Sequence, residues 1–274
     1  MIYDNINEAW KHLSTNVLTL GDEVSGTKEL QNVCFTINDI NKNILTIRKN
    51  FAPHYYLGEL IWYASVINDV NFISDYGAIW KKLSDDGVTN NSAYGYIIQH
   101  KHGFDQLDKV IELLKKDQNS RRAVVNINYA NDKVIETKDE PCTIALQFFV
   151  RDGKVNTTAI MRSNDLWTGT PYDIFYFTEL QKYVANKLNL EYGAYTHFAT
   201  SLHIYNRDEK NILDSINLKN NMEVFIDAQK ILNDPTDFLN AIKKAKEEND
   251  LTPRQVKDFT VEKAIKDNVL IIKE

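Results

Sequence analysis

EPCTIALQFFVRDGKVNTTAIMRSNDLWTGTPYD, residues 140–173, carries a cysteine, arginines and carboxylates on two strand-like runs and the start of a helix. Residues 143–150 (TIALQFFV) and 154–162 (KVNTTAIMR) are β-branched and aromatic. The Asp152-Gly153 pair between them supplies the positive φ angles of a tight hairpin turn, which predicts antiparallel neighbours. That hairpin puts Cys142 at the start of one strand and Arg162, Ser163 and Asp165 at the end of the other, at one edge of a sheet. Thr170-Pro171 then predicts an N-cap and first helical position, with IFYFTELQKYVANKL continuing at helical spacing. Plainer roles exist for each residue. A free cysteine is commonly a small buried hydrophobe, Arg162 and Asp165 could be an ordinary ion pair at a strand end, and Asp173 has capping-box spacing from Thr170.

Working outward, residues 5–18 place Ile6, Trp10, Leu13 and Val17 on one helical face, and residues 31–37 form a first strand with Cys34 in the core. Residues 53–67 start at a proline and are apolar nearly all round, so this helix is buried and Glu59 within it has its pKa raised. Residues 104–116 read as an amphipathic helix. Arg121 and Arg122 follow a turn and lead into the strand AVVNINY, where adjacent side chains point to opposite faces. Residues 192–205 form a strand in which His203 and Tyr205 share a face, and a helix followed by a terminal strand, VLIIKE, closes the chain. With 274 residues, 43% hydrophobic, five prolines and ten glycines, residues 1–274 are expected to form one domain. A net charge of -6 argues against nucleic acid and anionic lipid as partners. Two cysteines, no signal-peptide pattern and no membrane-length apolar run point to a cytoplasmic protein without a disulfide framework. No metal is expected.

Pro141-Cys142, Met161-Arg162-Ser163-Asn164-Asp165, Gly169-Thr170-Pro171-Tyr172-Asp173 and Ser201-Leu202-His203-Ile204-Tyr205 resemble, in order and spacing, the signature blocks of the thymidylate synthase superfamily. Glu59-Leu60-Ile61-Trp62, Ile79-Trp80, Tyr94-Gly95 and Ser120-Arg121-Arg122 extend the resemblance over about residues 25–210. It implies an α+β fold, a large mixed sheet with packed helices, and a sheet-mediated homodimer. It also implies Cys142 as the nucleophile that adds to carbon 6 of a pyrimidine nucleotide, and Glu59 as the group that organises water and moves protons. By the same resemblance Arg162 and Ser163 serve the nucleotide, His203 and Tyr205 its sugar, and Arg121 and Arg122 the phosphate bound by the partner subunit. Trp80, Asp165 and Gly169 fall to the folate, 5,10-methylenetetrahydrofolate.

Departures from the synthase pattern set the branch. Asp173 stands where synthases have asparagine, Met161 where they have glutamine and Thr143 where they have histidine, and the aspartate is shared by cytidylate hydroxymethylases. The resemblance therefore implies 5-hydroxymethylation of CMP or dCMP, with water capturing an exocyclic methylene. Methylation of dUMP and a non-catalytic nucleotide-binding dimer are the alternatives. The phosphate-gripping arginine usual in the family is absent from residues 21–28, where Lys28 offers a point charge.

Overall fold

The structure is a computed structural model that describes residues 1–129, 136–218 and 222–273. A short strand β1 (Ile2–Tyr3) leads to α1 (Ile6–Leu20), capped by Asn5, whose side chain accepts from the Glu8 amide. Its buried face holds Ile6, Trp10, Leu13 and Val17, as the spacing predicts. A hairpin of β2 (Asp22–Val24) and β3 (Thr27–Ile37) follows, β3 starting four residues before the predicted strand. Helices α2 (Pro53–Ala64), α3 (Val70–Ile73), α4 (Ile79–Leu83), α5 (Tyr94–Gln99) and α6 (Gln106–Lys116) come next. After β4 (Val124–Asn126), the deciding stretch gives β5 (Thr143–Arg151), β6 (Lys154–Met161), the short β7 (Asn164–Asp165) and α7 (Thr170–Leu188). The long β8 (Glu191–Tyr205) is followed by α8 (Glu209–Ile216), β9 (Glu223–Ile226), α9 (Ala228–Asn233), α10 (Thr236–Asn249), α11 (Pro253–Lys266) and β10 (Leu270–Lys273), with Glu274 outside the described residues.

The main sheet runs β1-β3-β8-β6-β5-β4, with β2 beside β3 and β7 beside β8. β5 and β6 pair antiparallel, and Asp152 and Gly153 between them have φ of 51° and 71°, the turn that the Asp-Gly pair predicts. β6 and β8 are parallel and α7 crosses between them, so the sheet is mixed. Buried residues from Ile6 to Leu270 join in one hydrophobic cluster. α1 and α7 pack on one face of the sheet, and α2 lies against α7.

The other face carries Thr36, Gln147, Thr158, Ile160, Thr196 and Phe198, all partly exposed. Cys34 belongs to that face, exposed and directly opposite Phe198, and not to the core. Strand periodicity explains the correction: Val33, Phe35 and Ile37 point inward, which forces Cys34 outward. Thr170 also departs from its predicted place. Gly169 occupies the N-cap without a side-chain cap, and Thr170 is the first helical residue, its hydroxyl donating to Asn164 Oδ1 at 2.5 Å and Asp165 O at 3.0 Å.

Candidate active site

The open end of the β5–β6 hairpin, the C-terminal end of β8, the first turn of α7 and the helices α2, α4 and α5 enclose a cavity of about 570 Å³. Cys142, Glu59, Asp173, Arg162, Ser163, Asp165, Gly169, Trp80, His203 and Tyr205 all line it. The hairpin register brings the two halves of the motif together: the Arg162 amide donates to Cys142 O at 2.9 Å, and Arg162 Nη2 lies 3.7 Å from Cys142 Sγ. Three further contacts fix the guanidinium. Nε donates to Pro141 O at 3.1 Å, Nη2 to Glu140 O at 2.8 Å, and the Glu140 carboxylate is 3.7 Å away.

Arg162 is therefore not paired with Asp165, as the plain reading had it. Asp165 accepts from the amides of Trp167 (2.8 Å) and Thr168 (3.2 Å) and from the Thr168 hydroxyl, closing the turn before α7. Nor does Arg162 bring the thiol below its ordinary pKa. Burial pushes Cys142 up, Asp173, Asp139 and Asp165 add to that, and Arg162 only opposes them.

The two buried carboxyls are set by their surroundings. Burial pushes Glu59 up to about 8, and the charge of Asp173 adds to the shift, while Tyr55 and Tyr63 hydrogen-bond the carboxylate and pull the other way. The expectation that burial raises Glu59 is met. Asp173 is pushed up to about 7 by burial, opposed by Asn164 Nδ2, which donates to Asp173 Oδ2 at 2.8 Å. The capping-box role is not the one observed, since this contact engages the Asp173 side chain. Gly169 keeps the corner open, because a Cβ there would lie 3.2 Å from Asn164 Nδ2 and 3.3 Å from Asp173 Oδ2.

Around this centre, Trp80 Nε1 donates to the Tyr55 hydroxyl at 3.0 Å, and the Trp80 ring stands edge-on to Trp62 with centroids 5.1 Å apart. His203 and Tyr205 pack edge to face at 5.2 Å, on a shared face as their spacing predicts. Arg121 and Arg122 are not brought to the cavity. Both are exposed and precede β4, with the Arg122 amide donating to Ser120 Oγ at 3.2 Å, so their side chains do not alternate across a strand. Lys28 is not at the cavity either; it lies 3.5 Å from Glu209 and 4.0 Å from Glu23. Sequence reasoning assigned no role to Asn164, Tyr55, Tyr63, Tyr94 or Arg207, all of which line the cavity. Asn164 and Tyr94 sit inside quoted motifs, whereas Arg207 lies just beyond the last one and carries no local signal.

A family model described as Thymidylate synthase matches residues 12–269. The chain belongs to the thymidylate synthase family. The family match continues well past residue 210, where the motif resemblance fades. Among similar proteins, this family member is 32% identical over 185 residues to the deoxyuridylate hydroxymethyltransferase of Bacillus phage SP01, a match covering 61% of this chain and 47% of that protein. The deoxyuridylate hydroxymethyltransferase of Pseudomonas phage M6 is 33% identical, over 56% of this chain and 44% of its own length. The chain thus spans about half the length of these two relatives. Thymidylate synthase from Bacillus licheniformis is 30% identical over 66% of each chain. The solved thermostable thymidylate synthase A from Bacillus subtilis shares the fold, with a TM-score of 0.67 at 22% identity, over 82% of this chain and 89% of that one. Among the described residues no helix is long and apolar enough to cross a membrane. No group of three or more His, Cys, Asp or Glu side chains there could hold a metal ion.

Proposed function

We propose that the chain transfers a one-carbon unit to carbon 5 of a cytosine nucleotide monophosphate, CMP or dCMP, and releases a 5-hydroxymethyl product. The observation that carries the base choice is Asp173, buried in the cavity and pushed up to about 7, so that its carboxyl holds a proton near neutral pH. Cytosine presents an amino donor at position 4 and a bare acceptor at position 3. A protonated carboxyl accepts from the first and donates to the second. Uracil already carries a proton at position 3, so the proton that Asp173 gives to cytosine there has no counterpart, and the charge of a uracil adduct develops on the position-4 oxygen instead.

Carbon 5 of a pyrimidine is a poor nucleophile. On this reading the Cys142 thiolate forms a sulfur–carbon bond at carbon 6, the carbon 5–carbon 6 π pair delocalises toward position 3, and Asp173 gives its proton there as charge develops. Arg162 steadies the thiolate through its Nη2, 3.7 Å from Sγ. Glu59, near 8, holds and moves a proton at neutral pH and orients water in the cavity. Methylenetetrahydrofolate supplies the one-carbon unit when bound. The residues at the Trp80 end fit it, because Trp80 and Tyr55, joined by a hydrogen bond, bring two aromatic side chains to the cavity wall, and Asp165 and Gly169 line the same cavity. His203 and Tyr205 take the sugar hydroxyl, and Ser163 joins Arg162 on the nucleotide.

A sheet-mediated homodimer completes the proposal. The partly exposed face bearing Ile160 and Phe198 offers the apolar surface, and the exposed side chains of Arg121 and Arg122 are free to reach the phosphate of a partner.

A second reading, hydroxymethylation of deoxyuridylate, is favoured by the names of the two phage relatives. One experiment separates the readings: incubation with methylenetetrahydrofolate and each of CMP, dCMP, UMP and dUMP, with the products weighed. A hydroxymethyl cytosine nucleotide supports the proposal. A hydroxymethyl product from uracil alone, or a methyl product with dihydrofolate, overturns it.

A further inference from the structure

Most charged groups lining the cavity are already committed. Asp139 accepts from the Ser92 amide and hydroxyl, Glu140 faces Arg162, and Asp165 closes its turn. Among the cations, Arg162 is fastened by two backbone carbonyls, and Lys138 lies on the wall beside Asp85, where its amide donates to that carboxylate at 3.0 Å. Arg207 differs. It lines the cavity from the turn just after β8, with a side chain 68% exposed. Its guanidinium carbon lies over the Tyr205 ring, 4.1 Å from the centroid. Nε is 3.3 Å from the Asp208 carboxylate, and no hydrogen bond to another described residue engages the guanidinium.

This is a pre-set arrangement. Contact with the Tyr205 ring holds the guanidinium at the wall, and the Asp208 contact draws on Nε, which leaves the two terminal nitrogens as a fork. The turn is itself tied down, because the Asn206 amide donates to Gly26 O at 3.0 Å. Lys28, which does not line the cavity, is held by Glu209 and Glu23. We infer that Arg207 binds the phosphate monoester of the nucleotide, as the cation next to the His203 and Tyr205 wall whose terminal nitrogens no hydrogen bond to a described residue engages. This inference rests on the reading that the substrate is a nucleoside monophosphate. A second anion of similar chemistry, the glutamyl carboxylate of a folate, would suit the same fork, and the test separates the two.

The test uses Arg207→Gln and Arg207→Lys in the full chain. Calorimetric affinities are measured for CMP and dUMP, for the matching nucleosides cytidine and deoxyuridine, and for tetrahydrofolate. Arg207→Gln should weaken the monophosphates about tenfold, a loss typical of a charge-assisted contact at a partly exposed site. The nucleosides and tetrahydrofolate should be unaffected, and Arg207→Lys should recover part of the loss. Added salt should weaken the wild type more than Arg207→Gln. Equal losses for monophosphate and nucleoside, or a loss confined to tetrahydrofolate, overturn the inference. So does unchanged monophosphate binding in Arg207→Gln while the wild type binds. A wild type that binds none of the monophosphates overturns the nucleotide reading itself.

Discussion

Asp173→Asn tests the centre of the site in two independent ways. The first is stability. Between about pH 4 and pH 7 the folded chain keeps a proton on Asp173 that the unfolded chain has released, so each pH unit upward removes about 1.4 kcal/mol of stability. Because the folded carboxyl ionises near 7, the loss is complete above that point. The distance from the ordinary 3.8 to about 7 corresponds to roughly 4 kcal/mol. Asparagine carries no such proton and can still accept from Asn164 Nδ2. The variant should therefore match the wild type near pH 4 and exceed it by about 2 to 4 kcal/mol above pH 8. Urea unfolding followed by tryptophan fluorescence across that range measures the difference. The second readout is base preference. A buried mismatch costs about 1 to 3 kcal/mol, so losing the proton shared with position 3 amounts to roughly 5- to 150-fold. The variant should lose turnover of the cytosine nucleotide and gain it with the uracil counterpart. A wild-type-minus-variant difference that does not change with pH would show that Asp173 is ionised throughout. An unmoved preference would leave it no part in reading the base.

Cys142→Ser should abolish exchange of the hydrogen at carbon 5 while nucleotide binding persists, because a serine hydroxyl is a far weaker nucleophile at neutral pH; normal exchange removes Cys142 from the mechanism. Mixing inactive Cys142→Ser with inactive Arg122→Ala under subunit exchange should restore activity if the arginines serve the partner's site, and no recovery after proven exchange places their action within one chain. The released folate should be tetrahydrofolate, and dihydrofolate forming in step with product would favour a synthase. Gly95→Ala should cost about 3 kcal/mol or more in urea unfolding, since a Cβ there would lie 1.9 Å from the backbone oxygen of Tyr63 and drive α5 off α2; unchanged stability would mean that the two helices separate freely.

What was legible in the sequence was local. The Asp152-Gly153 turn set the register of β5 on β6, and that register alone brings Cys142 and Arg162 together, so a short stretch sufficed to place half the site. Glu59 was legible because a carboxylate inside an apolar helix has nowhere to go but the interior. The failures are tertiary. Thr170 looks like an N-cap, but Asn164 Oδ1 and Asp165 O compete for its hydroxyl, and Gly169 takes the cap position instead. Arg162 and Asp165 are near in sequence and of opposite charge, yet each is satisfied elsewhere, by backbone carbonyls and by the turn amides. Cys34 was misplaced by residue type when the alternation of Val33, Phe35 and Ile37 already pointed it outward.

The electrostatics of the cavity link these pieces. Ionising Cys142 is opposed by burial and by three carboxylates, and only Arg162 favours it. One of the three, Asp173, titrates near neutrality, so whether it holds its proton decides how much charge the thiolate must face. With Asp173 protonated, one of the opposing charges disappears and Arg162 acts against a smaller field. Raising the pH past 7 restores that charge just as it begins to favour the thiolate directly, and past 8 Glu59 joins it in the same cavity. On the proposed reading, the same proton that Asp173 would give to position 3 of the ring also makes the sulfur easier to ionise before the ring is attacked. On that reading base recognition and nucleophile activation would be coupled through one carboxyl, so that a single aspartate in the first turn of α7 would bear on both.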